Sequence, residues 1–257
     1  MALIFNRKTP KIIKFNNYDV KKLIFNNTIV WEKNKLPNEY QQVEYIESTG
    51  TQYIDTQIYG TEKTSIDITY EYNSNATSSG ILGNRIAQKQ NEFLLGTSSN
   101  LIPDYLFLGY ANSGISNNSQ NYTNYNIPIN SSIKYRIIIN PGLYPNPTLT
   151  PNFNLNPKTP YKFVNINGID YIVSNITNQK FMTFKTLDIF KIYTSQNDYS
   201  LTSAKLYNLR IYNGNELRRD FIPCYHKSDN EIGLYDLINE VFYTNLGTGT
   251  FLKGADV

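Results

Sequence analysis

The chain has 257 residues, 40% of them hydrophobic and 14% aromatic, with 22 tyrosines and 13 phenylalanines. That apolar content fills a sizeable core and excludes a globally disordered chain. The formal charge is only +3 and 18% of residues are charged. The chain thus lacks the basic stripe that a nucleic-acid binder presents, and no nucleic-acid partner is expected.

Tyr, Ile, Thr and Phe favour pleated, half-buried surfaces, while the abundant Asn, Gly and Pro favour turns. The class therefore reads as all-β. Cys224 is the one cysteine, which excludes an intramolecular disulfide, and within Phe221-Ile222-Pro223-Cys224-Tyr225 it reads as a small buried hydrophobe. No apolar run approaches the roughly 20 residues of a membrane span, so membrane insertion is not expected. The opening Met1-Ala2-Leu3-Ile4-Phe5-Asn6-Arg7-Lys8 lacks the longer apolar stretch of a signal peptide. The expected product is made in a cytoplasm and leaves it, if at all, by another route.

Residues 11–30 hold an internal repeat in which each unit reads K-x-x-x-F-N-N-x-x-V. Asn tolerates positive φ better than most residues, so each Asn-Asn pair marks a tight turn between short strands. Two small β-hairpins are predicted, closed by Trp31-Glu32 and followed by a Lys33-Asn34-Lys35 linker. A hairpin or two buries too little surface to fold stably alone. Phe15, Phe25, Ile29 and Trp31 are therefore the candidate docking or assembly residues of a module at 1–35, the alternative being a meander packed on the main domain.

From Leu36 to Val257 strand signals come thickly. They are expected at Val43–Glu47, Gln52–Asp55 and Thr64–Tyr72, and near Gly80–Gly83, Glu92–Leu95, Tyr105–Tyr110, Ile133–Asn140, Ile169–Ser174, Leu187–Tyr193 and Lys205–Tyr212. In Thr64–Tyr72, Ile66, Ile68, Tyr70 and Tyr72 alternate with Asp67, Thr69 and Glu71, the pattern of a half-buried strand. Many short strands separated by turns make an antiparallel β-sandwich the expected architecture, with Leu206 and Ile211 joining Ile66, Ile68 and Tyr70 in or beside its core. No apolar stretch has helical period over any length, and Asp236-Leu237-Ile238 is predicted as at most one helical turn. Residues 112–132 are rich in Asn and Ser, and 140–160 carry Pro141, Pro145, Pro147, Pro151, Pro157 and Pro160. Prolines at that density do not serve a central strand, so both segments are predicted as long surface loops.

Chemistry is scarce. His226 is the one imidazole, and with one Cys no His/Cys zinc site can be built within the chain. No phosphate-binding glycine loop is present. Glycoside hydrolysis needs paired carboxylates, and the nearest pattern, Ser65-Ile66-Asp67-Ile68-Thr69-Tyr70-Glu71, has Ser65 where the first acid would stand. Asp67 and Glu71 read instead as the outward face of an alternating strand. No catalytic residue and no enzyme activity are expected. Sugar binding uses aromatic faces together with amides and carboxylates. Tyr105, Tyr110, Asn112, Tyr122, Tyr125 and Asn126 supply both beside the 112–132 segment, and Tyr110, Asn112, Tyr122, Tyr125 and Asn126 are the candidate glycan-binding residues. Asp104 and Asp198 offer oxygen ligands of the kind calcium takes, yet no spacing identifies a site. No cofactor is predicted and the metal content stays open.

Two segments bracket the chain's bulk. Leu36-Pro37-Asn38-Glu39-Tyr40-Gln41-Gln42-Val43-Glu44-Tyr45-Ile46-Glu47-Ser48-Thr49-Gly50-Thr51-Gln52-Tyr53-Ile54-Asp55-Thr56 resembles the opening of laminin-G-like, concanavalin A-like jelly rolls found in phage and prophage structural proteins. The run from Ala204 to Phe251 resembles the end of the same domain, including its closing Gly247-Thr248-Gly249-Thr250 turn. Many relatives of that segment carry Arg or Lys where His226 stands. Residues 11–31 resemble the short modules that open many phage adhesion and fibre proteins. The resemblance implies a jelly roll at 36–257 behind an N-terminal docking module at 1–35. It implies a virion-surface structural protein: a head fibre, a capsid-decoration protein or a tail-fibre component. The expected partners are other virion proteins, further copies of the chain with a trimer favoured, and host surface polysaccharide. The rival reading is a carbohydrate-binding module or adhesin of a bacterial surface protein, with a glycoside hydrolase behind it.

Overall fold

The computed structural model describes residues 13–15, 18–20, 22–25, 28–32, 36–73, 80–85, 91–98, 105–111, 129–140, 162–173, 180–193 and 199–257. The N-terminal repeat forms two antiparallel hairpins. β1 (Ile13–Phe15) pairs with β2 (Tyr18–Val20), and β3 (Lys22–Phe25) with β4 (Thr28–Glu32). Phe15 lies opposite Tyr18 and Phe25 opposite Thr28, so each Asn-Asn pair falls in a two-residue connection. Each hairpin is a sheet of its own.

The following strands are β5 (Tyr40–Gln42), β6 (Ile46–Thr49), β7 (Ile54–Thr61), β8 (Thr64–Tyr72), β9 (Gly80–Asn84), β10 (Glu92–Ser98), β11 (Tyr105–Ala111), β12 (Lys134–Asn140) and β13 (Lys162–Ile166). After them come β14 (Ile169–Val173), β15 (Met182–Ile189), β16 (Lys191–Tyr193), β17 (Tyr199–Leu201), β18 (Ser203–Asn213), β19 (Glu216–His226), β20 (Ile232–Asp236), β21 (Val241–Tyr243) and β22 (Leu252–Lys253). Among the described residues there is no helix.

Two antiparallel sheets pack into a β-sandwich. The larger, of 11 strands, runs β14-β13-β12-β8-β18-β19-β20-β21, with β5 on β19, β6 on β18 and β22 on β6. The smaller, of five, runs β11-β10-β9-β15-β7. This arrangement is consistent with a jelly roll. β16 and β17 form a separate hairpin.

The core lies between the sheets and follows the alternation read from the sequence. Ile66, Ile68, Tyr70 and Tyr72 point inward from β8, as do Leu206, Leu209 and Ile211 from β18, and they meet Phe93, Leu95, Leu187 and Ile189 of the small sheet. Each such side chain, fully buried, stabilises the fold by about 1.5–3 kcal/mol. The bracketing segments close on each other. β6 lies between β18 and β22, Val43 bridges to Asp256, and the Thr248 amide donates to the Thr51 carbonyl at 3.0 Å.

Several strand boundaries differ from expectation for identifiable reasons. Val43 joins no ladder beyond its isolated bridge to Asp256 and an amide hydrogen bond to the Pro223 carbonyl at 3.0 Å, so that strand begins at Ile46. The stretch Leu187–Tyr193 breaks at Phe190, whose φ of 64° lets its amide reach the Ile81 carbonyl at 2.8 Å. Asp236-Leu237-Ile238 opens the β20–β21 connection as the single turn expected, closed by the Glu240 amide donating to the Asp236 carbonyl at 2.8 Å. There Asp236 accepts from the Ile238 amide at 3.1 Å and the Asn239 side chain at 2.9 Å. β13 was not expected, because the proline-rich stretch before it hides its short apolar pattern.

Candidate functional site

Alternation sends Ser65, Asp67, Thr69 and Glu71 of β8 to the face of the large sheet turned away from the core. Register then decides their neighbours. Ile138 of β12 and Arg210 of β18 flank Asp67, while Lys134 and Lys205 flank Glu71. Arg136 reaches along β12 and grips Asp67 with two hydrogen bonds, Nε to Oδ1 at 2.9 Å and Nη2 to Oδ2 at 2.8 Å. Lys205 donates to Glu71 at 2.8 Å and the Tyr207 hydroxyl donates to its other oxygen at 2.9 Å. Arg210 pairs with Asp220 at 3.1 Å.

These contacts set the electrostatics of the face. Burial works to raise the Glu71 pKa, but the hydrogen bonds from Lys205 and Tyr207 and the charges of Lys205 and Lys134 outweigh it, and the net direction is down. A general acid at neutral pH needs the opposite direction. Asp67 and Glu71 are four residues apart on one strand, roughly 13 Å, beyond the roughly 6.5–9.5 Å of an inverting carboxylate pair. As the sequence implied, they point away from the core, but that face is not open to solvent: Ser65, Asp67 and Thr69 are buried and Glu71 is half-buried, and each carboxylate is held by its own cation.

At one end of this face opens a groove of about 360 Å³. Tyr212 of β18 stands opposite Ser65, Asp67 lies beside Ile138, and Gly214 and Asn215 of the β18–β19 turn form the rim. Gly214 holds a φ of 60° while its amide donates to the Lys63 carbonyl at 2.8 Å, tying that turn to the β7–β8 turn. Tyr212 and Ile138 are half-buried and Asn215 is exposed, whereas the Asp67 side chain is only 12% exposed. Among the described residues, the Ser65 hydroxyl, the Tyr212 hydroxyl and the Asn215 amide have no hydrogen-bond partner. An aromatic ring, an apolar floor, an oriented carboxylate and three free polar groups therefore converge on one opening.

Of the two segments predicted as loops, at 112–132 and 140–160, residues 112–128 and 141–160 lie outside the described residues. β12 ends beside the groove at Asn140, opposite Phe163 of β13. The segment before β12 arrives at the other end, where the Ser132 amide donates to the Tyr72 carbonyl at 2.7 Å. Of the candidate glycan-binding residues, Tyr110 lies on β11 opposite Phe93, in the small sheet. Asn112, Tyr122, Tyr125 and Asn126 lie outside the described residues, as do Asp104 and Asp198. Phe15, Phe25, Ile29 and Trp31 fall on the hairpin strands, with Ile29 opposite Ile24 and Trp31 opposite Leu23. The groove's residues were not singled out as a site. The one local signal was a tyrosine placed just before an Asn213-Gly214 turn.

Two other clusters carry titratable groups. Cys224 is fully buried, and burial pushes its thiol up to about 12, which leaves it inert as a nucleophile. His226 stands at the surface with Nδ1 3.1 Å from Asp229 and 2.9 Å from the Ser228 hydroxyl, its ring against Tyr40. On the β16–β17 hairpin, the Lys191 ammonium is buried over the Tyr53 ring at 3.7 Å, bonded to the Tyr193 hydroxyl at 3.0 Å and 3.5 Å from Asp188 of the small sheet. That aromatic cage is filled by the protein's own lysine. Among the described residues no group of His, Cys, Asp or Glu is arranged to hold a metal ion. No protein-family model matches the chain, and no curated protein shows significant similarity to it.

Proposed function

We propose that this chain is a non-enzymatic bacteriophage structural protein, made in the host cytoplasm and carried on the virion surface as a head fibre, capsid-decoration protein or tail-fibre component. Residues 1–35 dock it to other virion proteins or to its own copies, a trimer being the favoured assembly. Residues 36–257 form a laminin-G-like jelly roll that faces outward and touches host surface polysaccharide. The observation that carries this reading is the pair of N-terminal hairpins, each a two-stranded sheet of its own ahead of a complete sandwich. Such hairpins bury too little to persist alone and call for a partner surface. The neutralised carboxylates of β8 favour contact over catalysis. A shallow sugar site holds roughly −4 to −6 kcal/mol, which several copies on one particle raise by about 10²–10⁴ in apparent affinity.

The test is incorporation. The full chain is expected in purified virions by mass spectrometry, and deletion of residues 1–35 is expected to leave a soluble sandwich that no longer joins the particle. A truncated protein found at normal copy number refutes the docking role. Absence of the full chain from virions refutes the assignment as a whole.

A further inference from the structure

We infer that the Tyr212 groove is the sugar-contacting site, and that its ligand is one or two neutral pyranose residues of a polysaccharide. The inference rests on the glycan-contact reading above and adds the site and the ligand class. Size sets the first limit: about 360 Å³ lies at the small end of the roughly 300–1,000 Å³ range of ligand pockets. Shape sets the second, because a half-buried Tyr212 ring and the Ile138 side chain offer an apolar wall and floor to the C–H face of a sugar ring.

Charge decides the class. An ionised carboxylate has about four acceptor positions, and Arg136 occupies one on each oxygen of Asp67. The remaining positions accept from hydroxyls while the two-bond grip keeps the carboxylate from rotating. Ser65, Asn215 and the Tyr212 hydroxyl supply further donors and acceptors, none of them committed among the described residues. Across the row, Arg136 and Arg210 balance Asp67 and Asp220. An anionic sugar meets the Asp67 carboxylate with both nearby arginines already paired, and a cationic one meets the arginines. A neutral, hydroxyl-rich ring leaves every ion pair intact.

The experiment uses the full chain on a multivalent scaffold, probed with neutral hexose, deoxyhexose and N-acetylhexosamine oligosaccharides and with uronic-acid oligomers. Wild-type protein is expected to bind a neutral oligosaccharide and to ignore the uronic acids. Tyr212→Ala is expected to weaken that binding by about tenfold or more, the loss of one stacking contact. Asn215→Ala, at an exposed turn where folding is not at stake, is expected to weaken it several-fold, and circular dichroism and melting of both variants should match wild type. Undiminished binding by both variants overturns this site while leaving glycan contact standing. Preference for the uronic acids overturns the ligand class. Silence of the multivalent wild type across the panel overturns both this inference and the glycan contact beneath it.

Discussion

Asp188 should make this protein less stable as pH rises toward neutrality, against the usual behaviour of a paired carboxylate. It sits on β15, only 5% exposed, opposite Asp55 of β7 and 3.5 Å from Lys191. Burial raises its pKa from 3.8 to about 7, with Asp55 adding to the rise and Lys191 opposing it. Because the folded value lies above the unfolded one, the native state holds an extra proton between them. The group's contribution to stability is fully present below about pH 3.8 and is lost as pH rises through about 7. At about 1.4 kcal/mol per pH unit, the span is at most about 4 kcal/mol. Lys191 does not confuse the reading. Burial alone would lower its pKa, but its hydrogen bond to Tyr193 and the charge of Asp188 carry it upward, so it stays protonated across the window. The perturbation is Asp188→Asn and the assay is urea unfolding at several values between about pH 4 and pH 8. The free energy of wild type minus that of the variant is expected to fall by about 2–4 kcal/mol across that range. Parallel profiles for the two proteins would refute the reasoning, because they would mean that Asp188 titrates alike in the folded and unfolded chains.

Two further substitutions test the interior. Arg219 is buried in the core, its Nε donating to the Thr56 carbonyl at 3.0 Å and standing 3.5 Å from the fully buried Asp236. Arg219→Ala leaves that carboxylate without its cation and is expected to cost about 3–5 kcal/mol in urea unfolding; a loss below about 1 kcal/mol would show that the amide and side-chain donors to Asp236 suffice. A Cβ added at Gly80 would overlap Ile192 of the β16–β17 hairpin. Gly80→Ala is therefore expected to destabilise by about 1–3 kcal/mol, seen as a lower melting temperature, and the double variant Gly80→Ala, Ile192→Ala should recover part of the overlap cost.

Alternation along a strand is a local property, and what depends on it was legible in the sequence. Ile66, Ile68, Tyr70 and Tyr72 entered the core, and Leu206 and Ile211 joined them, because side chains two apart share a face in any extended chain. The two Asn-Asn hairpins were equally legible, since a tight turn is decided within four residues. Cys224 was readable as a buried hydrophobe from its apolar neighbours alone. The groove was not. Its walls come from residues 65–67, 138–139, 212 and 214–215, and they meet because Ile138 and Arg210 fall opposite Asp67 and Tyr212 falls opposite Ser65. A slip of one residue in either pairing would turn those side chains to the other face, and nothing local announces the register. Lys191 and Asp188, three residues apart within the expected Leu187–Tyr193 strand, likewise carry no local sign of their burial. Their burial was decided by Tyr53, from more than a hundred residues earlier in the chain, and by the short β16–β17 hairpin folding against it. The sequence determined which residues face inward; only the pairing of distant strands determined which outward residues stand together.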